Sequence, residues 1–481
     1  MIRDVAYEAL LRSRRKHLHR RIAQTINEKF AALEATRPEV LARHWTEAGE
    51  TEQAILEWSR AGKAAEARNA FVEGQESFQQ ALALLNLLPE SPERDSRELE
   101  LRPALVQILH LTRGWGASET VEALERVGVL AERTGDLRRL AGAVFTRAFH
   151  ACVAGDFSSA AAFADQALEL TLRERNPSII ATLHTSQLFV RFFRGDLVGA
   201  ENYFAAGLKI FADPGFRQNP GGAIAVFGWA SWNAWMLGRA NVARERLARI
   251  KGAVNPSNAH DLAWSDIMAA ILYVLMREHQ TAEALAARAL DLCEKHGFPN
   301  DAAISQVFLG HARAQLGRAA HGIALIRQGI DARVRVGNRS GVTLDIIWLA
   351  AAQLRAGAIA DALESIEQAL NFNPEEAVYH PEALRLRGEI RLKKGDQELP
   401  ETDFHNSLTM ARSMGAKAWE LRTTTSLARL LRDTGRREEA RTILAEIYNW
   451  FTEGFDTADL KDAKALLEEL DYAANRIVGS H

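Results

Sequence analysis

Few side chains in this chain stand where catalysis or metal binding would need them. The two cysteines, Cys152 and Cys293, are too few for a metal cluster or a disulfide framework and fit a reducing compartment. His17 and His19 are two residues apart, so on a helix they point to different faces and cannot share a metal ion. No His-x-x-x-His pair occurs. Gly62-Lys63 is the one Gly-Lys dipeptide, and it lacks the preceding glycine and following hydroxyl that would cradle and ligate a nucleotide. Ser231 and Ser426 have no nucleophile-elbow context. Asp156, Asp196 and Asp396 each follow a glycine, where capping of a helix start accounts for them better than acid–base work. No catalytic residue, cofactor or metal is assigned.

The elements that carry these residues follow from an internal repeat. A glycine, then a small residue five positions on and a small-apolar pair further along, recurs through the chain. The anchors from Gly155 onward are Gly195, Gly238, Arg277, Gly317, Gly357, Gly395 and Gly435, spaced by 40, 43, 39, 40, 40, 38 and 40 residues. An earlier copy starts at Gly49. The glycine ends one helix and the next begins at once. The small residue five on, such as Ala160, Ala200 or Ala362, marks a close helix crossing. A second column, seven before each anchor, reads Ala148, Leu188, Ser231, Ala270, Gly310, Ala350, Gly388 and Ala428, small in all but one copy.

This spacing resembles the tetratricopeptide repeat, with a period near 40 in place of about 34 residues. The resulting expectation is an all-α, right-handed superhelical solenoid of antiparallel helix pairs. The composition agrees, with 47% hydrophobic and 25% charged residues and only 12 prolines in 481. A net charge of −3 gives no global reason to expect nucleic acid or an anionic membrane. No apolar run is long enough to span a bilayer, and the first residues do not form a signal peptide, so a cytoplasmic location is expected.

The chain is read in four parts. Residues 1–35 form amphipathic helices with Leu18, Ile22, Ile26, Phe30 and Leu33 at helical spacing. Their basic run, Arg12, Arg14, Arg15, Lys16, Arg20 and Arg21, has no aromatic interleaving, which speaks against nucleic acid. Residues 36–135 hold irregular helix pairs, interrupted by a polar loop from Pro89 to Asp95. Residues 136–457 are the regular array, with an irregular connection from Asp213 to Gly222. Residues 458–481 form a capping helix and tail.

Three segments also resemble a family of large bacterial signalling proteins. These are the opening run Ile2–Ala23, the stretch Arg217–Ala243 and the run Trp450–Leu467. In that family a class III adenylate/guanylate cyclase or winged-helix domain and a STAND-type ATPase precede a tetratricopeptide region. The resemblance covers only that C-terminal region, so it implies a signalling context without an enzyme. A cyclase needs carboxylates carried on strands, and no strand–hairpin pattern is present. Because the family's ATPase would precede residue 1, the apolar Ile2, Val5 and Leu10 are expected to form a strip for self-association, the alternative being that they fold back on the helix at 38–48.

In tetratricopeptide arrays the first helix of each pair lines the concave face. Placed on this chain, that puts residues six and three before each anchor inward. The columns are rich in aromatic residues early, with Phe149, Phe189, Phe192, Trp232 and Trp235, and continue through His311. Arginines end them, with Arg429 and Arg432 in the columns and Arg385 and Arg422 on nearby turns. Such a groove would take a protein or peptide with apolar anchors and an acidic terminus. Two alternatives stand beside it: a tightly wound superhelix that makes these residues core, and an effector sensor holding a small molecule or peptide in the concave face.

Overall fold

The computed structural model describes residues 11–30, 37–173, 176–213, 216 and 220–478. Among them every regular element is a helix. The chain forms two compact units, Met1–Ala143 and Val144–His481.

The first unit contains α1 (Arg12–Lys29), α2 (Pro38–Ala48), α3 (Thr51–Ala67), α4 (Phe71–Leu85), α5 (Pro92–Arg113) and α6 (Ser118–Thr134), and each helix packs on the next. The apolar stripe expected on α1 is mostly not buried. Ile26 is covered, but Leu18, Ile22 and Phe30 are 36%, 42% and 54% exposed. The reason is that α2 covers a narrower face, the one carrying Ala23 and Ile26. Leu33, Ile2, Val5 and Leu10 lie outside the described residues. The loop expected over Pro89–Asp95 is shorter, because Ser91 caps α5 by accepting from the Arg94 N–H at 3.2 Å and Pro92 opens the helix. Within α5, Glu98 is buried. Burial alone would raise its pKa, but hydrogen bonds and charge from Arg126 and Arg102 bring it down to about 2.

The second unit is the solenoid. It begins within α7 (Leu137–Ala154), whose partner is α8 (Phe157–Arg173). The pairs α9 (Pro177–Phe193) with α10 (Leu197–Phe211), α11 (Pro220–Met236) with α12 (Ala240–Lys251), and α13 (Ala259–Leu275) with α14 (His279–His296) follow. Then come α15 (Pro299–Gln315) with α16 (Ala319–Arg335), and α17 (Val342–Arg355) with α18 (Ile359–Phe372). A 3₁₀ turn at Ala377–Tyr379 leads to α19 (His380–Lys394) with α20 (Leu399–Met414), then α21 (Lys417–Asp433) with α22 (Arg437–Trp450). The helix α23 (Ala458–Val478) ends the stack, burying Leu460, Ala463, Leu466 and Leu470 against α21 and α22. The connection expected to run irregularly to Gly222 ends earlier, since α11 starts at Pro220. Residues 214, 215 and 217–219 of it lie outside the described residues.

Every anchor falls in the short turn within a pair, as the repeat requires. The position is left-handed in each copy, and Arg277 adopts it too, at φ +62°. All eight residues of the small column are buried. At the tightest crossing, a Cβ on Gly310 of α15 would stand 2.8 Å from the Gly322 carbonyl oxygen of α16, so no larger residue fits without moving a backbone.

Over about five repeats the rotation from pair to pair adds up to a full turn and brings the second superhelical turn back onto the first. Carboxylates of the second turn cap helices of the first. Glu375 accepts from the Ser158 N–H at 2.9 Å and from its hydroxyl at 2.7 Å, at the start of α8. Glu453 accepts from the Asn241 N–H at 2.8 Å, at the start of α12. The positive end of a helix dipole favours an anion at both places. Backbone joins as well, with the Arg339 and Ser340 N–H groups donating to the Val153 carbonyl at 2.7 and 3.0 Å.

Candidate functional site: a cavity inside the superhelix

The turn-to-turn contact decides what becomes of the aromatic columns. Phe189 and Phe192 are fully buried, Trp232 and Trp235 are 5% and 4% exposed, and Phe149 is half-buried against the same core. Phe189 meets Trp229 at 5.2 Å between ring centroids and Phe149 meets Phe189 edge-on at 5.6 Å. The Trp232 indole donates to the Met268 carbonyl at 3.1 Å. Tyr379 and Trp419, from the second turn, cover Phe192 and Trp235. These five residues therefore form core and not the wall of an open groove. The physical reason is closure of the superhelix, which places one layer of helices where a ligand would have lain.

Further along the stack the interior is not filled. A cavity of about 330 Å³ remains, and its wall includes four of the residues expected from the columns and their neighbours: His311, Arg385, Arg422 and Arg429. Arg432 lies elsewhere, hydrogen-bonded to Asp433 at 2.9 Å and to Glu469 at 3.0 Å. The apolar part of the wall includes Val274, Ile347, Trp348, Leu354 and Leu386.

Three arginines of the wall are held by carboxylates. Arg385 lies along Glu382, at 2.7 and 2.9 Å, and meets Glu389 at 2.5 Å. Burial works against its charge, but Glu382 and Glu389 outweigh that and hold its pKa above the usual range. Arg422 donates to Asp459 at 2.8 Å and to the Leu275 carbonyl, and its guanidinium lies 5.0 Å from the ring centroids of both Trp235 and Trp419. Arg277 reaches Asp459 at 3.2 Å and Asp462 at 2.7 Å.

Two histidines share the wall. The His279 and His311 rings are 5.8 Å apart, and His311 lies 4.9 Å from the Trp348 ring. The Nδ1 of each is buried with no hydrogen-bond partner. Burial, then the positive charges of Arg277, Arg422 and Arg355, push the pKa of His279 down to about 4. Burial, His279, Arg422 and Arg355 act the same way on His311. Both rings are neutral at pH 7.

Sequence reasoning missed Arg277, His279, Arg355, Glu382, Asp459 and Asp462 as wall residues. One signal was available: Arg277 interrupts a column that is otherwise glycine, and a non-glycine residue in the left-handed region is unusual enough to mark a constrained position. Asp459 and Asp462 are three apart on α23 and so face one way, but nothing in the sequence says that this face meets the α13–α14 turn and α21. Among the described residues, no group of three or more His, Cys, Asp or Glu is placed to hold a metal, and no helix is long and apolar enough to cross a membrane.

No family model matches the chain. An uncharacterized protein of Rhizobium meliloti (strain 1021) is 23% identical over 454 residues, which is 89% of this chain and 43% of that protein. The chain thus spans less than half the length of this relative. Among similar solved structures is a Rap protein complexed with competence and sporulation factor, at 9% identity and TM-score 0.46, covering 71% of this chain and 99% of that one. Another is the human IFIT1 dimer with PPP-AAAA, at 13% identity and TM-score 0.44, covering 97% and 96%. A third is a STAND protein with a tetratricopeptide repeat sensor from Pyrococcus horikoshii, at 15% identity and TM-score 0.41, covering 82% and 57%. These neighbours are helical solenoids of tetratricopeptide type, one of them part of a STAND ATPase.

Proposed function

We propose that this chain is a non-catalytic regulatory module of a bacterial signalling protein, and that it senses an effector held inside its superhelix. A tetratricopeptide-like helical repeat suggests an interaction module. The observation that carries the effector reading is the contrast within one concave face. Its aromatic half is closed by the second turn, while its arginine and histidine half surrounds a cavity of about 330 Å³, a volume in the range of small-molecule pockets. A long peptide lying along the whole face would have to displace Trp419 and Tyr379, both buried.

The signalling context draws on the resemblance of Arg217–Ala243 and Trp450–Leu467 to the cyclase or winged-helix, STAND ATPase and tetratricopeptide proteins. Those two segments meet in space: Trp450 and Phe451 pack at Gly238, and Glu453 accepts from the Asn241 N–H at 2.8 Å. In a longer protein of that kind, an effector in the cavity would change how firmly the second turn clasps the first. The clasp would report occupancy to the preceding domains, in the cytoplasm.

Thermal denaturation of the chain against a panel of small metabolites and short peptides tests the reading. The expected result is a stabilising small molecule whose effect is lost when residues of the cavity wall are changed. If no member of the panel shifts Tm and a folded protein partner binds with affinity insensitive to those changes, the chain is a surface interaction module and not a sensor.

A further inference from the structure

We propose that the cavity is a site for a small organic anion with a flat apolar body, its charged head held by Arg355 and Arg429 beside His311. This rests on the effector reading and names the class of ligand. The argument starts from charge. Five guanidiniums line the cavity (Arg277, Arg355, Arg385, Arg422, Arg429) and four carboxylates (Glu382, Glu389, Asp459, Asp462). The four carboxylates are taken up by Arg277, Arg385 and Arg422. Arg355 has no ion-pair partner among the described residues, and the carboxylate next to Arg429 is Asp462 at 4.0 Å, already bound to Arg277. Two cations are thus left on the wall without a dedicated counter-ion.

The histidines make a second and independent observation. His311 is 94% buried, since only 6% of it is exposed, and its Nδ1 has no partner. A buried polar atom left unpaired is costly, and a native structure holding one in a cavity wall is poised to pair it with something that enters. With five guanidiniums against four carboxylates, the cavity carries net positive charge, which favours the entry of an anion. A guanidinium recognises a carboxylate through two parallel N–H bonds, and such charge-assisted bonds are about twice as strong as neutral ones. Trp348, Ile347 and Leu354 supply apolar surface for the rest of the ligand, and the Trp348 ring favours a flat one.

Isothermal titration calorimetry of the whole chain with naphthalene-1-carboxylate and with its neutral isostere naphthalene-1-carboxamide separates charge from shape. The carboxylate is expected to bind about tenfold more tightly than the amide. Arg355→Gln and Arg429→Gln, both at exposed side chains, should each remove most of that preference while leaving Tm unchanged. Equal binding of acid and amide would overturn the anion site yet keep the sensor reading. Binding of neither, together with a silent metabolite panel, would overturn both. A preference for the acid that survives in both variants would show that the anion is held elsewhere, and would also overturn the proposal.

Discussion

Trp235 and Trp419 meet edge to face, 5.1 Å between ring centroids, with the Arg422 guanidinium 5.0 Å from each ring. One indole belongs to the first superhelical turn and the other to the second. The same arginine donates to the Leu275 carbonyl at the end of α13 and to Asp459 of α23, so a single side chain ties four helices together.

Trp235→Ala should therefore destabilise the second unit by about 3–5 kcal/mol, the usual cost of deleting a large buried aromatic side chain. Urea denaturation measures it. A change below about 1 kcal/mol would mean that the two turns are held without this contact and that the aromatic half of the concave face can open.

The crossing of α15 and α16 gives a second expectation. Gly310→Ala places a methyl group against the Gly322 carbonyl oxygen, with the Ile326 and Leu325 side chains 2.9 Å away on the same side. Overpacking of about 1–3 kcal/mol should follow, and Ala362→Arg, at a fully buried crossing, should cost at least as much. If both variants melt like the parent, the small columns do not mark close crossings.

Arg277→Gly relieves a left-handed non-glycine residue, a gain of about 1 kcal/mol, and removes its ion pairs to Asp459 and Asp462, worth about as much in a half-exposed setting. Global stability should stay within about 1 kcal/mol of the parent. Amide exchange in 458–470 should quicken, because α23 loses its link to the α13–α14 turn. Unchanged exchange there would show that Arg277 does not hold α23.

Stability should depend on pH through Glu376, which is fully buried beside the turn-to-turn contact. Burial pushes its carboxyl up to about 7, against the opposing pull of Thr343, the Gly341 N–H and Arg333. In the unfolded chain it titrates near 4.5. Between those values the folded state keeps a proton that the unfolded state has lost, so this group's contribution falls as pH rises from about 4.5 to about 7, by up to about 3 kcal/mol. His279, whose pKa is lowered, contributes in the opposite sense, since stability is lost as pH falls below its unfolded value near 6.5. The comparison with Glu376→Gln isolates the carboxyl: the variant should melt higher than the parent above pH 7 and converge with it near pH 4.5. Parallel melting profiles across that range would show that Glu376 has an ordinary pKa.

What the sequence determined by itself was the local architecture. Anchors 38 to 43 residues apart, small residues at two fixed offsets and capping carboxylates specify helix pairs and their crossings, because every one of those relationships lies within a single repeat. Even the exception at Arg277 kept the left-handed turn that its column demands. The division of the concave face into core and cavity was decided by the tertiary structure. It depends on the rotation from each pair to the next, which accumulates until Glu375 meets Ser158 across 217 positions and Glu453 meets Asn241 across 212. No periodic pattern encodes a sum of that kind. The same inward columns therefore bury Phe192 and Trp235 where the second turn lands, and leave His311 and Arg429 around a space where it does not.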